Sequence, residues 1–201
     1  QNIMGMKEAF ETFFEEMTQN YIKKKGCPPK APCNEERVPT GLFLIDTLNE
    51  NGYAQWNPIL QDKTFNFDAI EKELGLHINE HIKQYLSTYW FLPLDGRLSL
   101  KTTEISNSEA VLRLIGITRY TDIFSLLKSN FNREGTHYLS DANYFLLGTY
   151  CMIDGVDSFI IVVNNESGEV TAVDVIERIS VHLSNSIEEL LLNMKGIWKV
   201  K

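Results

Sequence analysis

The sequence predicts an α+β fold, with helices packed on an antiparallel, mixed-order sheet. Helical periodicity dominates the first two thirds of the chain, while β-branched runs bounded by turn signals fill the last third. The 201 residues are 43% hydrophobic, enough for one full core, so a single domain over 1–201 is expected. Within it the reading assigns an N-terminal helix to 1–25 and a Pro-containing loop to 26–40. A helix-rich part follows over 41–142, then a strand-rich part with a C-terminal helix over 143–201.

Met6, Phe10, Phe13, Met17 and Tyr21 recur at helical spacing and form one apolar stripe, with Glu8, Glu11, Glu15 and Glu16 mostly off it. Gly26 and the prolines after it stop this helix. Tyr53 to Trp56 reads as a short strand ended by Asn57-Pro58. Asn66 caps a short helix carrying Phe67, Ile70 and Leu74, which Gly75 stops. Asn79 caps the next, with Ile82, Tyr85, Leu86 and Tyr89 on its buried face. Arg97 to Thr102 alternates and reads as a strand. Ser106 and Glu109 form a capping-box pattern ahead of Val111, Leu112, Leu114 and Ile115, which predicts a helix there. A further helix is expected near Ile123 to Leu127.

Tyr144 to Met152 is a buried-strand candidate. Phe159 to Val163 and Val170 to Val175 flank the loop Asn164-Asn165-Glu166-Ser167-Gly168 and read as an antiparallel hairpin. Ile179 to Leu183 adds a strand. Ser186 and Glu189 then cap a last helix that buries Leu190, Leu191 and Met194.

Charge narrows the function classes. The net charge is −8, so the chain repels a phosphate backbone and direct nucleic-acid binding is not expected. The basic run Lys23-Lys24-Lys25 sits at a helix C-terminus, where cations complement the dipole. Three cysteines, Cys27, Cys33 and Cys151, are too few and odd in number for a disulfide framework, and reduced thiols suit a cytoplasmic protein. No apolar run is long enough to span a bilayer. The first residues lack the apolar core of a secretory signal, while a start on Gln1 leaves open a removed leader.

Three blocks carry a family likeness. Trp56-Asn57-Pro58 precedes a Glu-bearing helix at Ile70 to Leu74; Ile78 to Phe91 ends in the aromatics Tyr89, Trp90 and Phe91; and Phe145 onward runs through the Ser167-Gly168-Glu169 turn to His182-Leu183-Ser184-Asn185 before the final helix. In this order they resemble the Syd proteins, a bacterial branch of the SUKH superfamily. The chain departs from that pattern by extra residues between Ser106 and Asn143 and by the Pro-bearing loop Cys27 to Pro39. The resemblance implies an α+β protein whose concave face grips a partner protein. Many bacterial members resemble immunity proteins that neutralise toxins, and Syd itself is associated with SecY on the cytoplasmic face.

The implied function is therefore a non-catalytic protein-binding module: first an intracellular immunity protein that blocks a cognate toxin, second a cytoplasmic SecY partner with peripheral membrane association through that protein. Trp56, Tyr89 and Trp90 are the aromatic anchor candidates, because aromatics bring large contact area at small entropic cost. The core is the alternative place for each, and for Trp56 the favoured one. Glu71, Glu73 and Asp95 are the candidate negative charges beside them, complementary to a basic partner.

Catalytic readings are weaker. Cys27, Cys33, His77 and His81 have poor zinc spacing, with five residues between the thiols, and no metal or other cofactor is expected. His77 to His81 lacks a Glu directly after the first His and is not the metalloprotease motif. Cys151 lies in an apolar strand context that disfavours a nucleophilic pair with His137 or His182. Glu71 and Glu73, two apart on a helix, do not face each other as an acid/base pair. A small metal- or thiol-dependent enzyme remains the third alternative.

Overall fold

The computed structural model of the chain describes residues 5–34, 39–101, 106–131, 139 and 142–197. Helix α1 spans Met6–Lys25 and buries Met6, Phe10, Phe13 and Met17 as the stripe predicts, together with Ala9 and Phe14. Gly26, at φ 70°, ends it in the left-handed conformation and donates its N–H to Ile22 O at 2.8 Å. Short strands follow: β1 (Lys30–Pro32), β2 (Phe43–Leu44), β3 (Tyr53–Trp56) and β4 (Ile59–Leu60). They form a small three-stranded sheet of order β1-β3-β2, while β4 pairs with β5 (Tyr89–Trp90) further on.

Helix α2 (Phe67–Leu74) is capped by Asn66, whose side chain accepts from Ala69 N, and stopped by Gly75 at φ 69°. Helix α3 (Glu80–Ser87) is capped by the Asn79 side chain and buries Ile82, Tyr85 and Leu86. The sequence placed Tyr89 on this helix; it lies instead in β5. The Gln61 amide donates to Leu86 O at 2.9 Å and Tyr89 O at 2.8 Å, which ties β4 to the end of α3.

Strands β6 (Leu94–Lys101) and β7 (Ser106–Leu114) form a long antiparallel pair. The predicted helix beginning at Ser106 is therefore corrected to a strand. Its burial has period two, with Ala110, Leu112 and Leu114 inside and Glu109 and Arg113 outside. That alternation, not the capping-box spacing, is the signal that won. Helix α4 (Ile123–Phe131) opens on Asp122, whose carboxylate accepts Ser125 N at 3.1 Å.

Strands β8 (Tyr144–Ile153), β9 (Val156–Asn164), β10 (Val170–Asp174) and β11 (Ile179–Ser184) complete a meander. Helix α5 (Ile187–Asn193) then leads to β12 (Lys195–Gly196). The main sheet has the order β11-β10-β9-β8-β7-β6-β12, and adjacent strands in it all pair antiparallel. Strands are thus not confined to the last third: β2 to β7 lie in the segment read as helix-rich.

Helices α1, α3, α4 and α5 share the core on one face of this sheet, α4 packing against β8 and α3 against α1 and α5. The core joins Phe10, Phe13, Tyr85, Phe91, Leu112, Phe145, Ile161 and Leu190, each with 0% exposure. Full burial of one such side chain is worth about 1.5–3 kcal/mol. A smaller cluster of Tyr144, Leu146, Val162 and Val173 forms on the other face, as strand alternation requires. Gly96 and Gly196 are register partners where β12 joins the sheet. A Cβ on Gly196 would come within 2.7 Å of the Met17 side chain, and one on Gly96 within 2.3 Å of Met194, so these glycines let α1 and the end of α5 press onto the sheet.

Candidate functional site

The small sheet is built by the period-two rule. In antiparallel strands, residues directly opposite share a face. Ala31 with Ala54 and Phe43 with Trp56 turn inward, where Ala54 is buried and Ala31, Phe43 and Trp56 join the main core. Lys30 with Gln55, Pro32 with Tyr53, and Leu44 turn outward. Trp56 is consequently buried, whereas Tyr53 is exposed.

An open cleft of about 520 Å³ lies beside this sheet and is lined by residues from both of its faces. Met17 and Tyr21 of α1 form one side, Pro29 to Pro32 with Tyr53 and Trp56 another. Leu92, Pro93, Asp95, Arg113 and Ile197 complete it. Asp95 and Arg113 are register partners on β6 and β7. Arg113 Nε donates to Asp95 Oδ1 at 2.6 Å and Nη2 to Oδ2 at 2.9 Å, a bidentate fork. That hydrogen bonding to Asp95 raises the guanidinium above its ordinary range, against the opposing effect of partial burial. The Asp95 side chain is 13% exposed and the Arg113 side chain 47%. The lining carries Lys30 and Arg113 against Asp95, a local balance of +1 within a chain of −8.

Of the six candidate residues, the structure brings Trp56 and Asp95 together at this cleft. Asp95 spends both carboxylate oxygens on Arg113, so the accessible charge there is positive rather than negative. Trp90 is 1% exposed and packs edge-on against Phe65 in the core. Tyr89 is half-buried against Phe10 and Phe14 and donates its hydroxyl to Glu11 at 3.2 Å. Neither lines the cleft.

Glu71 and Glu73 lie on α2, away from the cleft lining. Glu73 is exposed. Glu71 is mostly covered and holds the start of α3: its Oε1 accepts Ile78 N at 2.7 Å and lies 2.8 Å from Lys83 Nζ and 3.0 Å from His77 Nδ1. Burial alone would raise the Glu71 carboxyl, but the Lys83 ammonium, the Ile78 N–H and His77 outweigh it and hold it below its ordinary range. Lys83 is raised in return, burial notwithstanding, by Glu71 and Glu80.

The Ser167-Gly168-Glu169 turn meets the same end of α3. Asn165 accepts Asn79 N at 2.9 Å and donates to His77 O at 2.6 Å. His81 Nδ1 hydrogen-bonds Glu188 Oε1 at 2.8 Å; its 2.7 Å approach to Oε2 is an ion-pair distance without hydrogen-bond geometry. Gly168 has φ 80°, and a Cβ there would come within 2.8 Å of the His81 ring. These contacts account for the residues of the turn as fasteners between β9, β10, α3 and α5.

Among the described residues no group of three or more His, Cys, Asp or Glu side chains is arranged to hold a metal. His77 is 78% exposed beside Glu71, while Cys27 and Cys33 flank β1. His137 lies outside the described residues. Cys151 is buried and burial pushes its thiol up to about 12, so it is protonated at neutral pH and a poor nucleophile. No described helix is long and apolar enough to cross a membrane.

The sequence reading missed Tyr21, Lys30, Tyr53, Pro93 and Arg113 as members of one site. Arg113 was legible only through β7: once the stretch is read as a strand, Arg113 falls outward, opposite Asp95. No local signal joins Tyr21 to Tyr53, which meet through the packing of α1 on the sheets.

The family model described as Syd protein (SUKH-2) matches residues 7–109, just over half of the chain. The match spans α1, the small sheet, α2, α3 and β6, and therefore all of the cleft lining except Arg113 and Ile197. No curated protein matches the sequence closely enough to count as a relative.

Proposed function

Because the chain belongs to the Syd (SUKH-2) family, we propose that it is a non-catalytic protein-binding module, acting as a bacterial intracellular immunity protein that binds and blocks a cognate toxin. Family membership supports a protein-binding role in general. The observation that carries the site is the cleft, where aromatic and proline side chains converge on two cations. Surfaces of this kind suit recognition, because rigid aromatics supply contact area at little entropic cost and a few fixed polar groups orient the partner. Blockade would be steric, with the exposed acids Glu8, Glu11, Glu15 and Glu16 of α1 attracting a basic partner surface from a distance.

A second reading is a Syd-like cytoplasmic partner of SecY. It is favoured by the match itself, which falls on the Syd branch. Co-expression with a candidate toxin domain, such as any encoded beside the gene, separates the two. The immunity reading predicts survival of the host, loss of toxin activity and a one-to-one complex on size-exclusion chromatography with light scattering. An active toxin that elutes apart from the chain contradicts it. Co-sedimentation with SecY-containing vesicles but not with SecY-free ones would move the assignment to the translocon.

A further inference from the structure

We propose that the cleft seats an extended segment of the partner protein carrying an aspartate or glutamate next to a large apolar residue, the carboxylate going to Arg113 and Lys30. This rests on the protein-binding reading and specifies the chemistry of its central contact. Three observations carry it.

The first is accessible charge. Arg113 has five N–H donors in a fixed fork, and Asp95 engages two of its nitrogens through Nε and Nη2. Asp95 is thereby neutralised and largely covered, whereas Arg113 stays nearly half exposed. Lys30 lines the same cleft. A carboxylate meets two cations there, while a cationic side chain meets no uncompensated acid. Within a chain of net charge −8, this patch runs against the average field and so selects among partners drawn in by that field.

The second is shape and lining. About 520 Å³ between Tyr21, Tyr53, Trp56 and Pro93 has room for a large apolar side chain beside the carboxylate. The third is a free strand edge, which favours a peptide segment over a small acid. Within the described residues β1 pairs only with β3. Trp56 N donates to Pro29 O and Cys33 N to Gly52 O, so the alternation turns Ala31 toward β3. The Lys30 N–H and carbonyl therefore point to the open edge, where an extended chain can pair.

The test is an NMR titration of the full chain with the capped peptide acetyl-Leu-Phe-Glu-Leu-amide and its Gln and Lys counterparts in place of Glu. The Glu peptide is expected to shift the Trp56 indole and Arg113 side-chain resonances and to bind about fivefold tighter than the Gln peptide, with the Lys peptide weakest. The double variant Asp95→Asn with Arg113→Gln keeps a side-chain hydrogen bond without charge and should abolish the preference for Glu over Gln. Lys30→Gln, on an edge strand, should reduce that preference without risk to the fold. Equal or tighter binding of the Lys peptide, or no shift at the cleft with any peptide, overturns the proposal. If the partner complex forms unchanged with both variants, the cleft proposal fails while the protein-binding reading stands. If the Glu peptide binds as predicted but no partner complex forms, the proposal stands and the immunity reading fails.

Discussion

At the scale of single residues, burial decides role more than residue type does. Trp56 and Trp90 carry the same side chain, yet Trp90 is sealed in the core while Trp56 closes the wall of a cleft. The same logic separates Glu71 from Glu73. Glu73 projects to solvent, whereas Glu71 anchors Lys83 and the Ile78 N–H. Replacing Glu71 by Gln leaves Lys83 short of a charged partner and should cost about 1–3 kcal/mol. The pH dependence follows from the lowered carboxyl. Its stabilising contribution is complete above the unfolded value of about 4.3 and disappears as pH falls through the lower folded value. Urea unfolding from pH 7 down to pH 3 should therefore show wild type losing stability more steeply than Glu71→Gln below that point. Parallel curves would show that Glu71 gains nothing from its ion pair.

At the scale of elements, caps, stops and the β9–β10 hairpin were legible, and the other sheet partners were not. Asn66, Gly75, Asn79 and Ser186 mark helix ends in the sequence because each satisfies or terminates local backbone groups, and the structure uses all four. Ser186 accepts Glu189 N, while the Glu189 carboxylate reaches back to Asn185 N at 2.8 Å, one residue before the box pattern would place it. The Ser106 and Glu109 spacing misled because it is a local motif, whereas β7 is fixed by non-local pairing with β6 and β8. The two-residue strands were invisible for the same reason. Gly148 shows how tight that pairing is: a Cβ there would sit 2.3 Å from the carbonyl oxygen of Arg113 on β7. Gly148→Ala should separate β8 from β7 and cost about 1–3 kcal/mol by overpacking. At roughly 2–4 °C per kcal/mol for a chain of this size, the melting temperature should fall by several degrees. Unchanged thermal melting would mean that the strands yield there without cost.

At the scale of the whole molecule, a sheet whose one face shares a core with α1, α3, α4 and α5 is joined by a smaller sheet, and residues of both sheets and of α1 line the cleft. The fold class could be read from patterning, since periodicity and turn residues are local. The cleft could not, because Tyr21, Trp56 and Arg113 are brought together only by tertiary packing. In the proposed mode of recognition, overall acidity and local positive charge divide the work: the long-range field would favour a basic partner, and the cleft would select what enters. The most direct measurement is hydrogen–deuterium exchange of the chain alone and in complex with the toxin proposed as its partner. Binding through the cleft predicts protection confined mainly to 29–32, 53–56 and 92–95. A complex that protects only α2 or the β9–β10 turn, or a toxin that changes no exchange rate in the chain, would contradict it.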